Sequence, residues 1–185
     1  HQGEATLRFQ HQRLREWPPT GGVSTYCTSI PLEDHQAQMQ KSEALLAAIG
    51  WQGPAMVEYR HDPKTGRYWL MEINGRFWGS IPLASHCGAE FAWERYRTAI
   101  LAESATRQMR YPHRKARYMI PDTRHMLSVA TGKSGLDLGI GARIGLVIRY
   151  FAAFLDPRVR YYVWSFKDPG PFLSDIKQAL KKLLR

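Results

Sequence analysis

Residues 53–80, GPAMVEYRHDPKTGRYWLMEINGRFWGS, constrain the fold more tightly than any other stretch of this chain. Two runs, PAMVEYRH (54–61) and RYWLMEIN (67–74), alternate with the two-residue period of a strand, and DPKTG between them has the composition of a turn. A turn centred near Lys64–Thr65 pairs residues whose numbers sum to about 130. Glu58 then lies opposite Glu72, and Met56 opposite Asn74. Alternation places Glu58, Glu72 and Asn74 on one face of the hairpin. Val57, Tyr59, Trp69, Met71 and Ile73 fall on the other, which is expected to be the core face.

Two carboxylates directly opposed across a hairpin repel each other, so a positive group is expected between them. Hard divalent cations take carboxylate and amide oxygens, and Mg²⁺ commonly uses one or two carboxylates together with substrate phosphates. Glu58, Glu72 and Asn74 meet that requirement. Arg76 has the parity to reach the same place and offers a planar fork to phosphate oxygens. The spacing equally fits the wet face of an ordinary hairpin, its acids neutralised by Arg60 and Arg76.

The rest of the chain reads as mixed α and β structure. EATLRFQH (4–11) alternates like a half-buried strand, WPPTGG (17–22) breaks it, and GVSTYCTSI (22–30) returns as a strand. A helix is expected from Pro31, with acids in its first turn and Gly50 at its end. Another is expected at about 89–102. Further helices are expected near 122–131, 143–155 and 172–184. A soft boundary falls near 108, where the composition turns basic. The expected domains are a lobe over 1–107 and a basic, mainly helical extension over 108–185.

Of 185 residues, 44% are hydrophobic and 12% aromatic, enough for a packed core. The formal charge of +10 favours anionic partners such as nucleotide, phosphate, nucleic acid or a lipid surface. Cys27 and Cys87 lie too far apart for a metal-ligand pair and read as buried thiols in a reducing, cytoplasmic setting. The histidines show no zinc spacing, and His11 and His86 read as structural. The polar opening from His1 does not read as a secretory leader, and the chain is expected to be a piece of a longer one. Pro18 to Ser24, flanked by Arg13 and Arg15, reads either as a loop over phosphate or as a plain turn. The glycines at 139, 141 and 145 are spaced one residue too long for a dinucleotide loop. The helix IGLVIRYFAAFL (144–155), with arginines around it, suits an anionic membrane surface, although core or inter-lobe packing is the commoner use.

Glu72-Ile-Asn74-Gly-Arg76, preceded by a strand containing Val57-Glu58-Tyr59, resembles the E-x-N-x-R signature of the ATP-grasp superfamily. FQHQRLREWPPTGGVST (9–25) resembles the region before the metal hairpin in the carbamoyl phosphate synthetase-like branch. LDPRVRYYVWSFKDPGPFLSDIKQAL (155–180) resembles the ends of such ATP-grasp proteins. The resemblance implies an α+β fold: the C-terminal lobe of an ATP-grasp domain, an antiparallel sheet backed by helices, with a helical C-terminal extension. It implies that Glu58 and Glu72 ligate Mg²⁺ (or Mn²⁺), that Asn74 takes a second ion and that Arg76 contacts the γ-phosphate or an acyl phosphate. The implied partners are ATP, a small-molecule carboxylate and an amine or thiol. The family's glycine-rich phosphate loop and adenine-contacting lysines lie upstream of these residues, so the chain is expected to need a missing N-terminal lobe for activity. Arg60 stands where relatives often carry an apolar residue beside adenine.

Two other functions fit parts of the sequence. A nucleic-acid binder would use the charge and the basic aromatic runs RYPHRKARY (110–118) and RVRYYVW (158–164), but has no use for converging carboxylates. A non-catalytic ATP-grasp-like accessory lobe would keep the fold without turnover.

Overall fold

The structure, a computed structural model, describes residues 4–103 and 110–183. Its elements are β1 (His11–Trp17), β2 (Val23–Ser29), α1 (Gln36–Ala48), β3 (Met56–Asp62), β4 (Arg67–Asn74), α2 (Ile81–His86), α3 (Phe91–Ala99), β5 (Lys115–Arg117), α4 (Met119–Ala130), α5 (Ile140–Ala152), β6 (Val159–Tyr161) and α6 (Gly170–Leu183). The fold is mixed α and β, as expected. The chain divides into two compact units, 1–10 with 30–111 and 11–29 with 112–185. The compositional boundary near 108 lies outside the described residues. Both units draw on both sides of it, because β1 and β2 belong with the C-terminal strands.

In the first unit β3 and β4 form a two-stranded antiparallel sheet, accompanied by α1, α2 and α3. Trp78, Leu83, Ala84, Cys87 and Ala89 are among its buried residues, with Trp78 edge-on to Phe91 at 5.0 Å. α1 starts later than expected. Glu33 and Asp34 belong to the turn before it, so its first turn holds no acid. Residues 4–10 do not form the expected strand. They follow an irregular path, held to α1 by Arg8, whose guanidinium meets the Glu43 carboxylate (Nη2–Oε2 2.7 Å).

The second unit is built on a sheet of order β1-β2-β5-β6. β1–β2 and β2–β5 are antiparallel, whereas β5–β6 is parallel, which the expected all-antiparallel sheet did not include. The C-terminal region is therefore not only helical, because it supplies two of the four strands. Tyr26, Ala153 and Val159 form a buried cluster, and α4 packs on β1 and against α5. Arg15 and Arg117 converge on Asp122, which is fully buried with Arg117. Arg15 donates from Nε at 2.6 Å and from a second nitrogen at 2.8 Å, and Arg117 donates from Nε at 2.9 Å. The Tyr150 and Phe154 rings lie 4.4 Å from the Arg117 guanidinium, so the excess positive charge faces aromatic π-clouds.

Candidate nucleotide and metal site

The hairpin's register is pinned by its turn. The Asp62 carboxylate accepts the Lys64 N–H at 2.9 Å and the Thr65 hydroxyl at 2.8 Å, and these bonds hold it below the usual carboxylate range. Gly66 closes the turn at φ +68, a conformation that side chains disfavour, and donates its N–H to the Asp62 carbonyl at 2.8 Å. From this turn Asp62 pairs with Arg67, His61 with Tyr68, Arg60 with Trp69 and Tyr59 with Leu70. The register then shifts by one residue. Glu58 pairs with Glu72, Val57 with Ile73 and Met56 with Asn74.

The two carboxylates are thus directly opposed, as the sequence spacing required, and Asn74 stands two residues along the same face. The Asn74 amide nitrogen donates to Glu72 Oε1 at 2.6 Å. Arg76 follows on an exposed stretch, where its Nη1 donates to the Phe77 carbonyl at 3.1 Å. Gly75, between them, lies under the Trp51 indole. A Cβ there would come within 2.5 Å of that ring, so the motif's glycine permits the tryptophan to cover the turn out of β4.

The shift of register is a bulge at Met71, and it corrects two expectations. Beyond the bulge, parity places Trp69 opposite Arg60 on the Glu58 face, not beside Tyr59. Tyr59, His61 and Tyr68 share the other face. His61 stacks on Tyr68 at 4.4 Å, and the Tyr68 hydroxyl meets His35 Nδ1 at 2.5 Å just before α1. The second correction concerns burial. Trp69, Met71 and Ile73 were expected in the core, yet all three are exposed, as is Leu70. The expected core face is only partly covered: Tyr59 meets Ser42 of α1, whereas Leu70 and Ile73 remain exposed.

The donor set suits a hard cation: two carboxylates on adjacent strands and an amide, all near solvent, where Mg²⁺ can keep water and phosphate oxygens in its shell. Among the described residues no three His, Cys, Asp or Glu side chains gather into a cage, so further ligands would come from water and phosphate.

Of its two readings, the segment from Pro18 to Ser24 is the plain turn between β1 and β2. Arg15 is buried on Asp122 and stacked over Tyr26 at 4.3 Å, and so is neither aimed at substrate nor solvated. Arg13 Nη1 bonds Glu16 at 2.7 Å and the Gly22 carbonyl at 3.1 Å, closing the turn from within. Cys27 and Cys87 are buried thiols, as expected.

Sequence reasoning missed Trp51 over Gly75 and Trp69 beside the acids. The first depends on a contact that spacing does not encode, and the second on a bulge that leaves no mark in the alternation.

Comparison with known proteins falls on this same region. Residues 20–103 match the family model described as the ATP-binding domain of the carbamoyl-phosphate synthase L chain. Acetyl-CoA carboxylase 2 of Oryza sativa subsp. japonica is 30% identical over 76 residues, 41% of this chain. The chain spans 3% of that relative's length. No solved structure matches. The segment 20–103, with the hairpin inside it, is similar to the ATP-grasp, carbamoyl-phosphate synthase-like ATP-binding family that the E-x-N-x-R residues resemble.

Proposed function

We propose that this chain is part of an ATP-dependent ligase that activates a carboxylate as an acyl phosphate with Mg·ATP. The observation that carries the reading is the direct opposition of Glu58 and Glu72, with Asn74 bonded to Glu72, inside the segment that matches an ATP-binding family. In this reading Glu58 and Glu72 hold the first metal ion, Asn74 helps to hold a second, and Arg76 swings from the Phe77 carbonyl to a phosphate oxygen. The metal supplies charge neutralisation on the transferring phosphoryl group. The chain's own part is to fix two carboxylates and a guanidinium around the triphosphate, so that positioning and electrostatics lower the barrier. A substrate carboxylate oxygen attacks the γ-phosphorus and ADP leaves. An amine or thiol then displaces phosphate from the acyl phosphate.

Three basic residues behind the nucleic-acid reading are engaged in internal pairs. Lys115 and Arg158 both bind Asp156, at 3.0 and 2.9 Å, and Arg117 is buried on Asp122.

Calorimetric titration of Mg·ATP into the chain and into a Glu72→Ala, Asn74→Ala double variant tests the proposal. The parent should bind, and the folded variant should lose at least about tenfold in affinity, as expected when charge-assisted contacts are removed. Equal binding by both would take the nucleotide away from the hairpin. Absence of binding by a parent that carries its upstream residues would overturn the ligase reading in favour of an accessory lobe.

A further inference from the structure

The charge of this protein is not spread evenly. The unit formed by 11–29 and 112–185 holds 16 basic and 6 acidic residues, whereas the other holds 10 of each. The whole excess of +10 therefore belongs to the unit that does not carry the hairpin.

That unit also carries the most regular exposed apolar stripe among the described residues. On α5 and the turn after it, Ile140, Ile144, Ile148, Phe151 and Leu155 are 55 to 86% exposed. At 3.6 residues per turn these positions fall within one narrow band along the helix. The opposite face is fixed. Tyr150 and Ala153 are buried, and the Tyr150 hydroxyl meets the Thr123 hydroxyl of α4 at 2.7 Å. The stripe is thus held outward by packing from behind. By helical position Arg143 and Arg149 lie on either side of it, and 138–155 contains no acid. The next acid, Asp156, accepts hydrogen bonds from Arg158 and is salted to Lys115, and these hold it far below the usual carboxylate range.

A polar partner does not call for five exposed aliphatic and aromatic side chains, and a neutral apolar partner does not call for the arginine border. An anionic bilayer calls for both: apolar side chains enter the acyl boundary while arginines remain among the headgroups. No helix among the described residues is long and apolar enough to cross a membrane, so the contact would lie along its surface. We propose that α5 is an interfacial helix that docks this basic unit onto anionic lipid.

The test is vesicle flotation of the whole chain, with phosphatidylcholine vesicles compared with the same vesicles containing about 30% phosphatidylglycerol. Anionic vesicles should carry at least roughly tenfold more protein than neutral ones, and raised salt should release it. Ile144→Ser, Ile148→Ser, Phe151→Ser should abolish flotation while circular dichroism stays unchanged, since these side chains are exposed. Arg149→Gln should weaken flotation without abolishing it. Flotation indifferent to lipid charge, or kept by the serine variant, overturns the proposal. So does a stable dimer in solution that the serine variant dissociates and that fails to bind vesicles, because the stripe would then belong to a second copy of the chain.

Discussion

Arg117 shows how far a single residue can depart from what its neighbours in sequence suggest. It sits in a basic aromatic run that reads as a solvated, anion-seeking surface, yet it is fully buried. Its partner Asp122 is only five residues away, but Asp122 is shared with Arg15, 107 positions upstream, and that long-range contact is invisible in spacing. Burying three charges is tolerable only while each remains paired. Asp122→Ala should therefore cost about 3–5 kcal/mol, because two guanidinium groups are left buried without a counter-charge. Arg13→Ala, which breaks a partly exposed pair with Glu16, should cost less than about 1 kcal/mol. Urea unfolding of the two variants measures the contrast. Equal, small losses would mean that water reaches the buried cluster.

At the scale of elements, the hairpin was legible because its turn chemistry and its alternation both mark two strands, but the turn's own register would set Glu58 opposite Met71, and only the bulge restores its opposition to Glu72. Residues 4–17 misled for the complementary reason. EATLRFQH alternates and HQRLREW, whose apolar residues are Leu14 and Trp17, does not, yet pairing with β2 makes the strand His11–Trp17. β5 and β6, three residues each, are too short to show a period at all. Among the described residues the hairpin has no third strand, and a two-stranded sheet is marginal by itself. Its support on the tyrosine face is polar: the Tyr68 hydroxyl on His35, and the Tyr59 hydroxyl on Ser42 of α1 at 3.1 Å. Tyr68→Phe and Tyr59→Phe should each remove about 1 kcal/mol, equivalent to roughly fivefold faster amide hydrogen exchange in β3 and β4. The double variant should depart somewhat from additivity, since the two rings meet edge-on at 6.3 Å. Unchanged exchange in both single variants would assign the hairpin's support to apolar contact alone.

For the whole molecule, the uneven charge makes the two units respond differently to salt, and each unit happens to carry its own reporter. Cys27 lies in the basic unit and Cys87 in the neutral one, both as buried thiols. A thiol reagent reaches either only when its unit opens. The basic unit repels itself, and added salt screens that repulsion over a Debye length that shrinks from about 30 Å at 0.01 M to about 10 Å at 0.1 M. Its pairs at Asp122 are buried and lose little to the same screening, so for this unit the net effect of salt is stabilising. The neutral unit has no excess to screen. Raising the salt across that range should slow labelling of Cys27 about two- to fivefold and leave Cys87 within a factor of about two, given stabilisation of order 0.5–1 kcal/mol. Labelling is read at each site by mass spectrometry after proteolysis. Parallel slowing at both cysteines would show that the units open together, and faster labelling of Cys27 would show that ion pairs, not net charge, govern the basic unit.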